Sequence, residues 1–137
     1  MIIQCIVNSF RSQMLQAQHN LLTDTLKIAL YTGNANLGPT TTAYTTDGEA
    51  SGTGYVAGGI VLTGTTIDTA TETTTTPAVV YVNFNNAVFS AAVTARGALI
   101  YNSSKSNKAI AVIDFGADKT SATTFTVRSE EHTSELQ

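Results

Sequence analysis

Hydrophobic and polar residues alternate along this chain in short runs, and most of those runs read as strand. Thr25–Thr32 (TLKIALYT) sets Leu26, Ile28 and Leu30 against Lys27, Ala29 and Tyr31, the period-two pattern of a half-buried strand. Ile60–Thr63 and Thr66–Thr71 are short strand candidates, and Ala78–Phe84 (AVVYVNF) places Val80, Val82 and Phe84 on one face. Val93–Tyr101 and Ala109–Phe115 are apolar on both faces and flank the polar loop Asn102–Lys108. That predicts an antiparallel hairpin covered on both sides, with a connection too long for a two-residue turn. Thr123–Val127 supplies a last strand.

The N-terminal pattern differs. Ile3, Val7, Phe10, Met14, Ala17 and Leu21 recur at spacings of four and three, the stripe of an amphipathic helix over about residues 3–19. Val7, Phe10, Met14 and Leu21 are its candidate packing or oligomer face. An alternative stays open, in which Asn8 or Ser9 caps a shorter helix and Ile2–Val7 is a separate strand. Residues 33–59 hold most of the glycines and many Thr and Asn. They predict a long ordered loop with one short turn of helix near Thr46–Ala50, and a loop of that length is more often functional than idle. Thr71–Pro77 (TETTTTP) is a low-complexity connector. The fold class expected is mainly β: a single-domain antiparallel β-sandwich or flattened barrel over residues 1–127 with one N-terminal α-helix.

Composition sharpens this reading. The chain has 137 residues, enough for one core. Only 12% are charged, while threonine reaches 24 residues, a β-branched type that suits a pleated surface. The last ten residues, Arg128–Gln137 (RSEEHTSELQ), turn abruptly charged. All ten resemble the translated read-through of a sequencing-library adapter, which implies a non-native tail and a native C-terminus lost beyond about Val127. Without them, six Lys and Arg face seven Asp and Glu, a net charge of −1 instead of −3. A near-neutral chain offers no electrostatic case for nucleic acid or for an anionic membrane. No stretch approaches the ~20 apolar residues of a membrane span. The single Cys5 excludes an internal disulfide.

The search for chemistry is lean. Gly52-Thr53-Gly54-Tyr55-Val56-Ala57 has the letters of G-x-G-x-x-A. A dinucleotide site needs a strand before that motif and a helix after it, and here a Thr-rich loop precedes and β-like residues follow. Gly52 and Gly54 read better as positions of positive φ or close backbone contact. His19 is the lone histidine before the adapter-like tail. Asp114 and Asp118 flank Gly116 with no further acid nearby, so Asp114 is expected to hydrogen-bond a turn backbone. Asp24, Asp47, Glu49, Asp68, Glu72, Asp114 and Asp118 show no spacing that singles out an acid–base pair. Cys5 and His19 lack an evident orienting partner. No cofactor, metal or small-molecule substrate is expected, and no enzymatic activity. Tyr44 and Tyr55 lie in the glycine-rich loop and, with Gly52 and Gly54, form the candidate interaction loop. Tyr31, Tyr81 and Tyr101 are expected to line a sheet face.

Three segments carry a resemblance: Thr25–Thr32 (TLKIALYT), Thr40–Gly59 (TTTAYTTDGEASGTGYVAGG) and Ala95–Gly116 (ARGALIYNSSKSNKAIAVIDFG). In this order, across most of residues 1–127, the chain resembles small virion structural proteins of tailed bacteriophages. The resemblance implies a structural component of the particle, in head decoration, head–tail connection or tail, that contacts other virion proteins and itself. It implies a location in the virion after assembly in the bacterial cytoplasm, and it carries over no catalytic residue. An adapter-like tail fits a chain assembled from environmental reads. The alternative expectation is a small β-sandwich module that binds a host surface or a glycan.

Overall fold

The long apolar runs of the sequence become the centre of the molecule. A computed structural model of the chain describes residues 1–69 and 80–128. Its elements in chain order are β1 (Cys5–Ile6), α1 (Asn8–Leu15), β2 (Leu26–Tyr31), β3 (Gly52–Thr53), β4 (Ile60–Val61), β5 (Thr66–Thr69), β6 (Val80–Asn83), β7 (Ala87–Phe89), β8 (Ala92–Asn102), β9 (Lys108–Thr120) and β10 (Phe125–Val127). A 3-10 turn over Ser103–Lys105 closes the hairpin between β8 and β9. The main sheet runs β1-β9-β8-β2-β4, with β3 also paired to β8, and β10-β7 and β5-β6 form two small sheets. The paired strands are antiparallel throughout. Over the described residues the protein is mainly β, as its sequence pattern predicts, with one α-helix and the antiparallel sheets of a β-sandwich.

Two layers explain why β8 and β9 are apolar on both faces. Gly97, Leu99 and Tyr101 share one face of β8 by alternation. Ile2 lies over Gly97, so tightly that a Cβ there would sit 3.0 Å from Ile2 and 2.5 Å from the Ile113 carbonyl oxygen. Tyr44 of the long loop stacks on Tyr101 with ring centroids 4.8 Å apart. The N-terminal segment and the loop therefore cover this face. On the opposite face, Asn102 meets His19, whose ring contacts Phe10 of α1. Burial is continuous from Gly97 to Asn102 and from Ala109 to Ile113. β2, between β8 and β4 in the sheet, is buried at every position except Lys27, so it is more deeply covered than its half-buried pattern suggested. The buried residues of all these elements form one hydrophobic core.

The N-terminal helix is shorter than its stripe predicts. Expected over residues 3–19, it spans Asn8–Leu15. Ile2 bridges Leu37, Ile3 donates its N–H to the Leu37 carbonyl, and Cys5–Ile6 pair with β9. Val7 is extended, at φ −69° and ψ 148°, and caps the helix with no side-chain hydrogen bond. The strand alternative for Ile2–Val7 is thus the nearer one, although neither Asn8 nor Ser9 is the cap. At the other end Ala17 turns left-handed, φ 56°, and stops the helix. Val7 and Phe10 reach the core, and Leu21 does so from the following turn, but Met14 is 42% exposed. Of the four-residue face, Met14 alone is thus not buried in the core of its own domain.

Other differences are local. The short helix expected near Thr46–Ala50 is instead a tight turn at Asp47–Gly48, with Gly48 at φ 76° and Glu49 bridged to Tyr31. Gly48 packs so closely on Ala35 that a Cβ would lie 2.7 Å from its Cα. β7 has only three residues and gave no sequence signal. Of the expected strands Thr66–Thr71 and Ala78–Phe84, residues 70–71 and 78–79 lie outside the described part, as do the connector Thr71–Pro77 and residues 129–137 of the adapter-like tail. Among the described residues no helix is long and apolar enough to cross a membrane.

Candidate functional site

The long loop folds back on the sheet around one carboxylate. Its glycines make this possible. Gly52 pairs with Val93, and a Cβ on it would lie 1.9 Å from the Ala92 carbonyl oxygen. Gly54 has φ 88°, with a Cβ position 2.3 Å from the Ser90 carbonyl oxygen. Both are the positive-φ or close-contact positions the sequence suggested. The motif around them runs from β3 into a turn at Ala57–Gly58 and then β4, so no helix N-terminus faces it.

Held this way, the loop brings Tyr44, Glu49 and Tyr55 together. The Tyr44 hydroxyl donates to Glu49 Oε1 at 2.6 Å, and the Tyr55 hydroxyl donates to Glu49 Oε2 at 2.7 Å. The Gly58 N–H donates to the same Oε2 at 2.8 Å. Tyr55 also accepts the Leu30 N–H at 3.0 Å, which ties the loop to β2. Tyr101 donates to the Gly58 carbonyl at 2.6 Å and Tyr31 to the Thr45 carbonyl at 2.6 Å. The Tyr55 ring stacks on Phe89 at 5.9 Å. Four of the five tyrosines thus surround one acid. Burial pushes the ionisation of Tyr31, Tyr44, Tyr55 and Tyr101 upward, and the negative charge of Glu49 adds to it.

Neither loop tyrosine presents a free hydroxyl, and both are half-buried. Tyr31 and Tyr101 are buried on the sheet, as expected. Glu49 is what the sequence reading missed. It stood among seven acids with no distinguishing spacing, and the signal was its position between two tyrosines, five residues after one and six before the other.

A second polar cluster lies at the tip of the hairpin. His19 Nε2 is 2.8 Å from Gln13 Oε1, and Nδ1 is 2.9 Å from Asn102 Nδ2. Asn102 Nδ2 also donates to Asp24 Oδ2 at 2.8 Å. Both ring nitrogens are engaged, so His19 is not placed to serve Cys5 as a base. Asp114 takes the role expected of it: its Oδ1 accepts the Gly116 N–H at 2.9 Å and Arg96 Nε at 3.0 Å. The Gly116 N–H bond, and then Arg96, hold its carboxyl below the ordinary range. Among the described residues no three His, Cys, Asp or Glu converge as metal ligands would. An open cleft of about 600 Å³ lies between β9 and β10, lined by Gln4, Asp114, Phe115, Lys119, Phe125 and Arg128.

Chemically, the Glu49 carboxylate is held by three donors, one on Oε1 and two on Oε2, an arrangement that fixes the loop. No family model matches the chain, and no curated protein or solved structure matches it.

Proposed function

We propose that this chain is a non-enzymatic structural component of a tailed-phage particle, acting through contacts with copies of itself and with other virion proteins. The three segments that carry the resemblance are the ones that pack on one another. β2 pairs with β8, Tyr55 of the loop binds the β2 backbone, and Tyr44 stacks on Tyr101 of the hairpin. The observation that carries the proposal is the surface. Leu15 is 91% exposed, Val56 71% and Leu22 57%, on a chain in which only 12% of residues are charged. Large apolar side chains on a charge-poor exterior favour burial against another macromolecule.

Size-exclusion chromatography with light scattering, on a chain ending at Val127, tests self-association. Co-sedimentation with purified particles tests heteromeric contact. A strict monomer that also fails to bind particles would refute the proposal. The glycan-binding alternative rests on Tyr44 and Tyr55, whose hydroxyls already serve Glu49. Glycan-array binding that vanishes in Tyr44→Ala and Tyr55→Ala would restore it.

A further inference from the structure

We propose that His19, Asn102 and Asp24 form an acid-sensitive clasp, which holds the connector between α1 and β2 on the tip of the β8–β9 hairpin and opens when His19 gains a proton. Three observations carry this. First, His19 is only 7% exposed, and its ring is pinned from both ends. Gln13 Oε1 can only accept, so Nε2 carries the hydrogen and donates; Nδ1 is then bare and accepts from Asn102 Nδ2. Second, Asn102 is fully buried and cannot turn over. Its Nδ2 donates to Asp24 as well as to His19, and its Oδ1 accepts the Ser104 N–H at 3.0 Å. A flipped amide would set its NH₂ against the Ser104 N–H and its oxygen against the Asp24 carboxylate. A proton on Nδ1 therefore meets an N–H donor that has no alternative orientation.

Third, the surrounding charges oppose a cationic ring. Lys108 of β9, which donates to Gln18 Oε1 at 2.7 Å, and Lys105 of the 3-10 turn, 3.9 Å from Asp24, are both positive. The groups that α1 presents, Phe10 and Gln13, are uncharged. Among the described residues Asp24 is the one acid beside it, and Asn102 stands between it and the ring. Burial first, and Lys108 next, hold the imidazole below its ordinary 6.5. The clasp is then intact above that value, and its contribution is lost as pH falls through the lowered one. Asp24 is not the trigger. Burial pushes its carboxyl up, but the Asn20 N–H, Asn102 and Lys105 hold it below 3.8, so it stays charged in mild acid. The connector carries Leu22, exposed beside the buried Leu21, so opening the clasp changes the apolar surface offered to partners. The clasp stands independently of any role in a particle.

The test is hydrogen exchange read by mass spectrometry, corrected for intrinsic rates, at about pH 7.5 and about pH 5, on either side of the ordinary histidine range. The chain carries His132→Gln, which leaves His19 as its single imidazole. Protection of peptides over residues 16–25 should fall roughly tenfold at the lower pH, as loss of one buried hydrogen bond implies. His19→Gln, whose amide can replace both bonds without titrating, should show the same protection at both values. Unchanged protection in the histidine form, or an equal fall in His19→Gln, overturns the proposal. Should His19→Gln fail to fold, the ¹⁵N shifts of His19 decide. A neutral ring with hydrogen on Nε2 that protonates as protection falls supports the clasp, and a ring already charged at the higher pH refutes it.

Discussion

Removing the Glu49 carboxylate is the sharpest perturbation of the loop. Glu49→Ala deprives three donors of their acceptor: the Tyr44 and Tyr55 hydroxyls and the Gly58 N–H. Tyr44 is half-buried and can recover a water partner, whereas Gly58 is buried and Tyr55 is fixed by the Leu30 N–H. At about 1–1.5 kcal/mol for each bond, with the Tyr44 share reduced by rehydration, the loss is about 3 kcal/mol. For a chain of this size that lowers the melting temperature by roughly 10 °C. Glu49→Gln retains the shape. Its oxygen can take Tyr55 and Gly58 while its NH₂ donates to the Tyr44 oxygen, so it should cost only about 1 kcal/mol. Urea denaturation of both variants, with Tyr44→Phe and Tyr55→Phe to close double-mutant cycles, measures the couplings. Tyr55→Phe should cost more than Tyr44→Phe, because it also strands the Leu30 N–H. If Glu49→Ala unfolds within about 1 kcal/mol of the parent, the carboxylate does not organise the loop and the reasoning fails.

Gly59→Ala should abolish folding, since its Cβ would lie 1.8 Å from the Ile28 carbonyl oxygen at φ 80°, whereas Gly116→Ala, with nothing within 4 Å at φ 83°, should cost only about 1 kcal/mol; soluble yield and thermal melts separate them. Phe10→Ala should lose about 3–5 kcal/mol and Met14→Ala under about 0.5, as buried and exposed positions of one helix; equal losses in denaturant melts would contradict the placement of α1. Above pH 10 the protein should destabilise, because the raised ionisation of Tyr31, Tyr44, Tyr55 and Tyr101 contributes stability below the ordinary tyrosine value that is lost as pH climbs past it. Absorbance near 295 nm, followed with circular dichroism, should show these hydroxyls ionising only as the fold is lost.

The strands with long apolar runs were legible in the sequence because burial on both faces leaves a signal over many residues. β2, β8 and β9 lie where the pattern placed them, with β9 continuing to Thr120. The N-terminus misled for a physical reason. Ile3, Val7 and Phe10 match a helical period, yet Ile3 and Val7 use their N–H groups on Leu37 and Ile110, partners far along the chain that no local pattern records. Gly52 and Gly54 were readable as backbone-contact positions, since only glycine tolerates those distances. Glu49 and Asn102 were not. A polar residue that organises others looks in sequence like any surface polar residue, and only its partners distinguish it.

The pairing of the first strand has a consequence for how the molecule comes together. β1 binds β9, and next to it Gln4 Oε1 accepts the Asp114 N–H across 110 positions of chain. During synthesis β1 has its sheet partner only once β9, more than a hundred residues further along, has left the ribosome. The β8–β9 hairpin closes over a far smaller gap, so loop-closure entropy places the docking of β1 after it.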